Sequence, residues 1–193
     1  MSIPYVIEPN EKGDERVYDL YSRLLKDRIV FIKGTIKSEM ADAVVAQLLF
    51  LETRDDDTDI NMYINSVGGE VSAMYAMFDV MQYIKPDIRT IGMGTCASAA
   101  SFLLAAGTKG KRMALPNTDV MIHELSTGHQ GKYNDMRVYQ KHIDKMYDNM
   151  ARNYVNFTGQ SLKKIKRDME RDFHMSAEEA VEYGLIDKVI ETR

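Results

Sequence analysis

The chain's 193 residues suit one domain of ordinary size with at most an appendage, and 45% hydrophobic with 28% charged residues is a globular balance, not a disordered one. A net charge of −4 supplies no attraction for nucleic acid or an anionic membrane, and no apolar run reaches the roughly 18 residues of a membrane span. One cysteine excludes an intrachain disulfide, and "MSIPYVIEPNEKGDER" lacks the pattern of a secretory signal, so the expected compartment is the cytoplasm.

Along the chain, helix and strand patterns alternate. "DERVYDLYSRLLKD" sets Val17, Leu20, Tyr21, Leu24 and Leu25 on one helical face. "RIVFIKG" is a short apolar strand closed by Gly34, and "SEMADAVVAQLLFLE" is a helix with Ser38 as its expected N-cap. After the solvated loop "RDDDTD", "INMYINS" reads as a strand and "VGG" as a turn. "EVSAMYAMFDVMQYI" is a helix with Val71, Met74, Phe78 and Met81 on one face, stopped by Pro86. "IRTIGMG" is the next strand, Gly92–Gly107 is expected to continue into a helix, and "DVMIH" is a further buried strand. Strand–helix–strand units of this kind predict an α/β core with mainly parallel pairing.

After His123 the rhythm breaks. "ELSTGHQGKYND" is polar and leads into a long amphipathic helix in which Met136, Tyr139, Ile143, Met146, Met150 and Tyr154 recur at three and four residues. A helix that long, outside the βα alternation, reads as an arm whose apolar stripe needs a partner. "GQSLKKIKRDMERD" is a short amphipathic helix, "SAEEAVEYG" carries a capping box of Ser176 with Glu179 and a Gly184 stop, and "LIDKVIE" is a closing strand. With no repeat or linker, one domain over residues 1–193 with an arm at about 124–158 is the expected organisation.

"INSVGGEV" and "IGMGTCASAAS" share a design: a buried strand enters a helix through small residues. Helix starts present unpaired backbone N–H groups, and two of them side by side would hold the anionic oxygen of a tetrahedral acyl-transfer intermediate. Gly68 and Gly69 allow close approach of the backbone. The same stretch offers three nucleophiles: Ser98 at the helix entrance, Ser101 one turn further in, and Cys96 before it. Of four histidines, His123 ends a buried strand, whereas His129, His142 and His174 lie in a polar loop, the arm and near the capping box. Glu124, Asp119, Asp168, Glu170 and Asp172 all remain open as the carboxylate that would orient an imidazole.

These segments resemble the ClpP family, the proteolytic subunits of the Clp (caseinolytic) protease. The resemblance rests on "YSRLLKDRIVFIKG", "MYINSVGGEV", "GTCASAASFLLAAGTKGKR", "LPNTDVMIH", "GQSLKKIKRDMERDF" and "SAEEAVEYGLID". It implies a crotonase-like α/β spiral of βαβ units with a projecting strand–helix handle. It implies Ser98 as nucleophile, His123 as base and Asp172 as orienting carboxylate, with the N–H groups of Gly69 and Ala99 as oxyanion hole. Such an enzyme is a serine endopeptidase needing neither metal nor cofactor. Two stacked heptameric rings would enclose the active sites, with Glu170 and Arg171 at ring-to-ring contacts. A Clp-type ring ATPase would dock at a pocket containing Tyr63 and Tyr83 and feed in unfolded polypeptides.

The sequence departs from the family pattern at several positions. Val67 stands where the family usually has Pro, "CASAAS" replaces "AASMGA", Glu124-Leu125 replaces Gln-Pro after the base, and Asn61 occupies a usually aromatic position of the docking pocket. These changes support an alternative reading: a weakly active structural or regulatory ring subunit working beside a second ClpP paralogue. A crotonase-type acyl-CoA enzyme would share the fold and the oxyanion device, but would not need Ser98, His123 and Asp172 together.

Overall fold

The structure, a computed structural model, describes residues 3–9 and 13–192; the ends of the expected 1–193 domain lie outside the described residues. β1 (Tyr5–Pro9) and β2 (Glu15–Asp19) form an antiparallel hairpin ahead of the core. The single helix expected over "DERVYDLYSRLLKD" is therefore divided: residues 15–19 are strand, and α1 spans only Leu20–Lys26. The β-branched and aromatic pair Val17–Tyr18 favours an extended backbone once β1 supplies a partner. The Asp19 carboxylate then accepts from the Ser22 N–H at 3.0 Å and starts the helix.

The central sheet begins with β3 (Ile29–Lys33), β4 (Ile60–Ser66) and β5 (Ile88–Ala97), all parallel. In β4 strict alternation buries Ile60, Met62, Ile64 and Ser66 on one face. α2 (Ser38–Arg54) and α3 (Val71–Tyr83) are the crossovers, packed on each other and on that face. Ser38 is not the N-cap of α2; Lys37 holds that position, and the Ser38 hydroxyl instead donates to the Glu70 carboxylate at 3.1 Å. Val71 and Phe78 of the expected α3 face pack against the core from its margin, while Met74, Met77 and Met81 are buried.

β5 is longer than the expected strand, running through Cys96 to Ala97, so α4 (Ala99–Ala105) is a single buried piece of seven residues. The strand serves two neighbours in turn. Residues 90–92 pair with β6 (Arg112–Ala114), which the sequence reading missed, and residues 95–97 pair with β7 (Asp119–Ile122). Between them the register on β4 shifts, and Gly94 adopts φ +64° beside the Asn65 amide, bending the strand toward β7. β8 (Phe173–Met175), also missed, lies antiparallel on β7, and β9 (Lys188–Val189) closes the path beside β6.

α5 (Tyr133–Thr158) is the long helix. Its inner end is in the core through Met150, Ala151 and Tyr154, whereas Tyr133, Met136 and Val138 at its outer end are exposed. The handle's expected strand is not formed: residues 123–132 carry no regular structure, because no described segment of the chain pairs with them. Phe102 of α4 contacts the rings of Tyr75, Phe78, Tyr154 and Phe157 at centroid distances of 5.2–5.7 Å, joining α3, α4 and α5. α6 (Leu162–Asp168) and α7 (Ala177–Tyr183) follow, α7 with the expected Ser176–Glu179 capping box and Gly184 in the left-handed region. Among the described residues no helix is long and apolar enough to cross a membrane.

One ion pair ties the C-terminal end to this core. The Arg112 guanidinium forks onto Asp187 at 3.0 and 2.7 Å, and the same carboxylate accepts from the backbone of Gly110 and Arg112. Arg112 also donates to the Phe157 carbonyl at the end of α5. Burial opposes ionisation of Asp187, but the Arg112 bonds outweigh it and hold the carboxyl below its usual range. A depressed folded-state pKa contributes stability above the unfolded carboxylate pKa of about 3.9 and loses it as pH falls through the folded value. Asp187→Asn leaves the 5%-exposed Arg112 without its counter-charge and is expected to cost about 3–5 kcal/mol at neutral pH in urea unfolding. The difference from wild type should shrink toward pH 3.

Candidate active site

Three strand ends converge at one edge of the sheet. The parallel register pairs Ala97 with Met121, and the Ser98 N–H donates to the Met121 carbonyl at 2.9 Å. The antiparallel register pairs Ile122 with Phe173. One residue beyond each pairing stand Ser98, His123 and Asp172. The His123 Nε2 lies 2.8 Å from the Ser98 Oγ. Its Nδ1 lies 3.7 Å from Asp172 Oδ1, an ion-pair distance longer than a hydrogen bond, and the Asp172 side chain is 66% exposed.

Ser98 occupies φ 59°, ψ −123°, a strained conformation for a residue with a side chain, and makes no side-chain cap to α4. Its hydroxyl therefore does not serve the helix and is presented to His123. A serine on a strained strand-to-helix turn is a device that holds a nucleophile clear of its sheet. The rival nucleophiles are occupied. Cys96 is fully buried, its thiol donates to the Ile64 carbonyl, and burial pushes its pKa up to about 12. Ser101 is also fully buried and donates to the Ser98 carbonyl at 2.7 Å.

The other histidines are placed elsewhere. His129 stacks on Tyr139, His174 pairs with Asp119 at 3.0 Å, and His142 is on the exposed side of α5. Among the open carboxylates, Asp119 is thereby engaged and Asp168 binds Lys164, Arg167 and the Tyr183 hydroxyl. Glu124 lines the pocket beside Ser98, and its N–H donates to the Met169 carbonyl at 2.7 Å. That bond fastens the base of the handle to the loop carrying Glu170, Arg171 and Asp172, all three exposed.

The Val67–Gly69 turn crosses in front of α4. Gly68 has φ +92°, and a Cβ there would fall 2.6 Å from Ser98 Cβ and 3.0 Å from the Ala99 nitrogen. Gly69 bridges Ile36, whose N–H donates to the Gly68 carbonyl and whose carbonyl accepts from Glu70. This parallel-bridge pattern turns the Gly69 N–H away from Ile36, and a Cβ on Gly69 would run into the Ile36 carbonyl. The Ala99 N–H is the first of α4 and has no acceptor within the helix. Gly69 and Ala99 line one pocket with Ser98 and His123, walled by Val71, Met74, Leu125, Met150 and Tyr154. The sequence reading had Met74, Met150 and Tyr154 only as helix faces; their i, i+3, i+4 spacing could not say that they meet at Ser98.

Tyr63 stacks on Phe31 and lines a separate groove with Asn61, Arg89, Ile91 and Met113. Tyr83, at the end of α3, is 80% exposed and does not line that groove.

A mainly parallel α/β core here sets a serine, a histidine and a carboxylate together at its strand ends beside a pair of glycines, the groups a serine peptidase would need. The family model described as Clp protease matches residues 12–193, and the chain belongs to that family, with a ClpP-type fold.

Gly68→Ala is expected to displace Ser98 with the fold retained. Peptidase kcat should fall about 100-fold or more, as for a roughly 1 Å misplacement of a reacting group, with the circular dichroism spectrum unchanged. Retained kcat would show that the turn does not constrain Ser98.

Proposed function

We propose that the chain is a serine endopeptidase subunit, a single peptidase domain over residues 1–193 with its handle at about 124–158. The observation that carries this is the 2.8 Å contact of His123 Nε2 with Ser98 Oγ at a strained turn. Ser98 attacks the scissile carbonyl while His123 takes its proton; the N–H groups of Gly69 and Ala99 receive the oxyanion, and His123 protonates the leaving amine. Water then hydrolyses the acyl-enzyme by the same route, with no metal or cofactor. Asp172 is the orienting carboxylate.

The subunits form two stacked heptameric rings around a chamber in the cytoplasm. Unfolded polypeptides enter through a Clp-family ring ATPase docked near Tyr63 and Tyr83. The exposed outer stripe of α5 supports the handle as the ring-pairing element, since Tyr133 is 74% exposed and Met136, one turn on, 47%. Glu170 and Arg171 lie beside Asp172 on one exposed loop. Contacts to the opposite ring through that pair would draw Asp172 onto His123 and so couple assembly to activity. The alternative, a weakly active regulatory ring subunit beside a second paralogue, draws on Glu124 in the pocket and on the 3.7 Å His123–Asp172 separation.

Fluorophosphonate labelling with mass-spectrometric mapping separates the two. Stoichiometric modification of Ser98, absent in Ser98→Ala, is expected, together with a fall in kcat on the order of 10⁶-fold in that variant. An unlabelled, folded double ring would favour the regulatory subunit.

For the assembly, Met136→Glu is expected to shift sedimentation from double rings to smaller species without unfolding the core. Unchanged double rings would remove the handle from the ring interface.

A further inference from the structure

A hydroxyl pair outside the triad reaches the nucleophile's backbone. Ser101 carries one donatable proton and gives it to the Ser98 carbonyl at 2.7 Å. The Tyr154 hydroxyl lies 3.2 Å from the same Ser101 oxygen. With the Ser101 proton spent, the tyrosine is the donor, and the direction is fixed: Tyr154 to Ser101 to the Ser98 carbonyl. Ser101 is 0% and Tyr154 2% exposed, so neither bond competes with bulk water. Burial raises the phenol's pKa above its ordinary value, against a smaller opposing effect of the Ser101 bond, so the proton stays on Tyr154 at neutral pH.

The phenol itself has little freedom. Its ring meets Phe102 edge-on at 5.5 Å and Phe157 at 6.2 Å, and its backbone lies in the buried inner end of the handle helix. At the other end of the chain of bonds, the Ser98 carbonyl also accepts from the Phe102 N–H at 3.1 Å. Two donors thus converge on the carbonyl of a residue held at φ 59°. A strained backbone persists only where its surroundings over-determine it.

We propose that Tyr154 and Ser101 form a hydroxyl relay that positions Ser98, holding its turn so that the Oγ faces His123. The proposal rests on the serine-peptidase reading above. Both are positioning residues acting through the Ser98 backbone. The relay also links the handle helix to the nucleophile by hydrogen bonds as well as by packing.

The test uses the full chain in its assembled form and two isosteric truncations, Tyr154→Phe and Ser101→Ala, with their double variant. Wild-type labelling of Ser98 by fluorophosphonate is the reference; its absence would count against the peptidase reading and not against the relay. Given a labelled wild type, Tyr154→Phe should slow both labelling and kcat by about 3- to 10-fold, the size of one neutral hydrogen bond. KM for a short peptide should stay unchanged. Ser101→Ala should be affected at least as much, and the double variant no more than Ser101→Ala alone, because the tyrosine acts only through Ser101. Labelling at the wild-type rate in both single variants would overturn the relay. So would multiplicative losses in the double variant, or a change confined to KM and side-chain preference, which would make Tyr154 only a wall of the pocket.

Discussion

The site depends on strand β7 being held in one register from both sides. β5 fixes it in parallel and β8 in antiparallel order, and the three residues just beyond the paired positions are Ser98, His123 and Asp172. Because side chains alternate faces, a slip of one residue against β5 would carry His123 away from Ser98, and a slip against β8 would carry Asp172 away from His123. The 2.8 Å contact is thus set by a ladder of backbone hydrogen bonds. The bend at Gly94 makes this possible, since a straight β5 would stay on β6 and never reach β7. Asp172 sits at the far end of the ladder, where only three residues of β8 secure it, and its contact with His123, at 3.7 Å, is the looser of the two.

Small side chains make the second condition. Ser98 is strained, and the turn at Gly68 passes so close that a Cβ there would stand nearer to Ser98 and Ala99 than ordinary contact allows. Every residue of α4 is buried, the small Ala99, Ala100 and Ser101 at its start among them, and Phe102 gathers four aromatic rings around it. Packing and access are served by the same residues: what lets the helix approach the sheet also leaves room beside the serine hydroxyl.

The handle helix belongs to both the core and the surface. Its inner end contributes Met150 and Tyr154 to the pocket, and its outer end leaves an apolar stripe uncovered. Its base is fastened through Glu124 to the loop that carries Asp172. In the proposed assembly, whatever covers the outer stripe therefore has a short mechanical route to Asp172, the least secured member of the proposed triad.

By itself the sequence determined the α/β alternation, the parallel core, the strands "INMYINS" and "DVMIH", the long arm helix and the capping box at Ser176. Each rests on local periodicity or on cap chemistry, which the chain carries within a few residues. It also offered Ser98, Ser101 and Cys96 in a small-residue turn and a rigidly placed His123 at a strand end, and resemblance to a family picked out Ser98, His123 and Asp172 among the open choices. Only the tertiary structure decided that Cys96 and Ser101 are spent on carbonyls, that Asp119 belongs to His174, and that Met74, Met150 and Tyr154 meet at one wall. The divided first helix, the extended β5 and the short strands β6 and β8 came from the same source. Each depends on pairing with another strand, a neighbouring one for the first helix and distant ones for the rest, and three-residue strands have no period of their own to read.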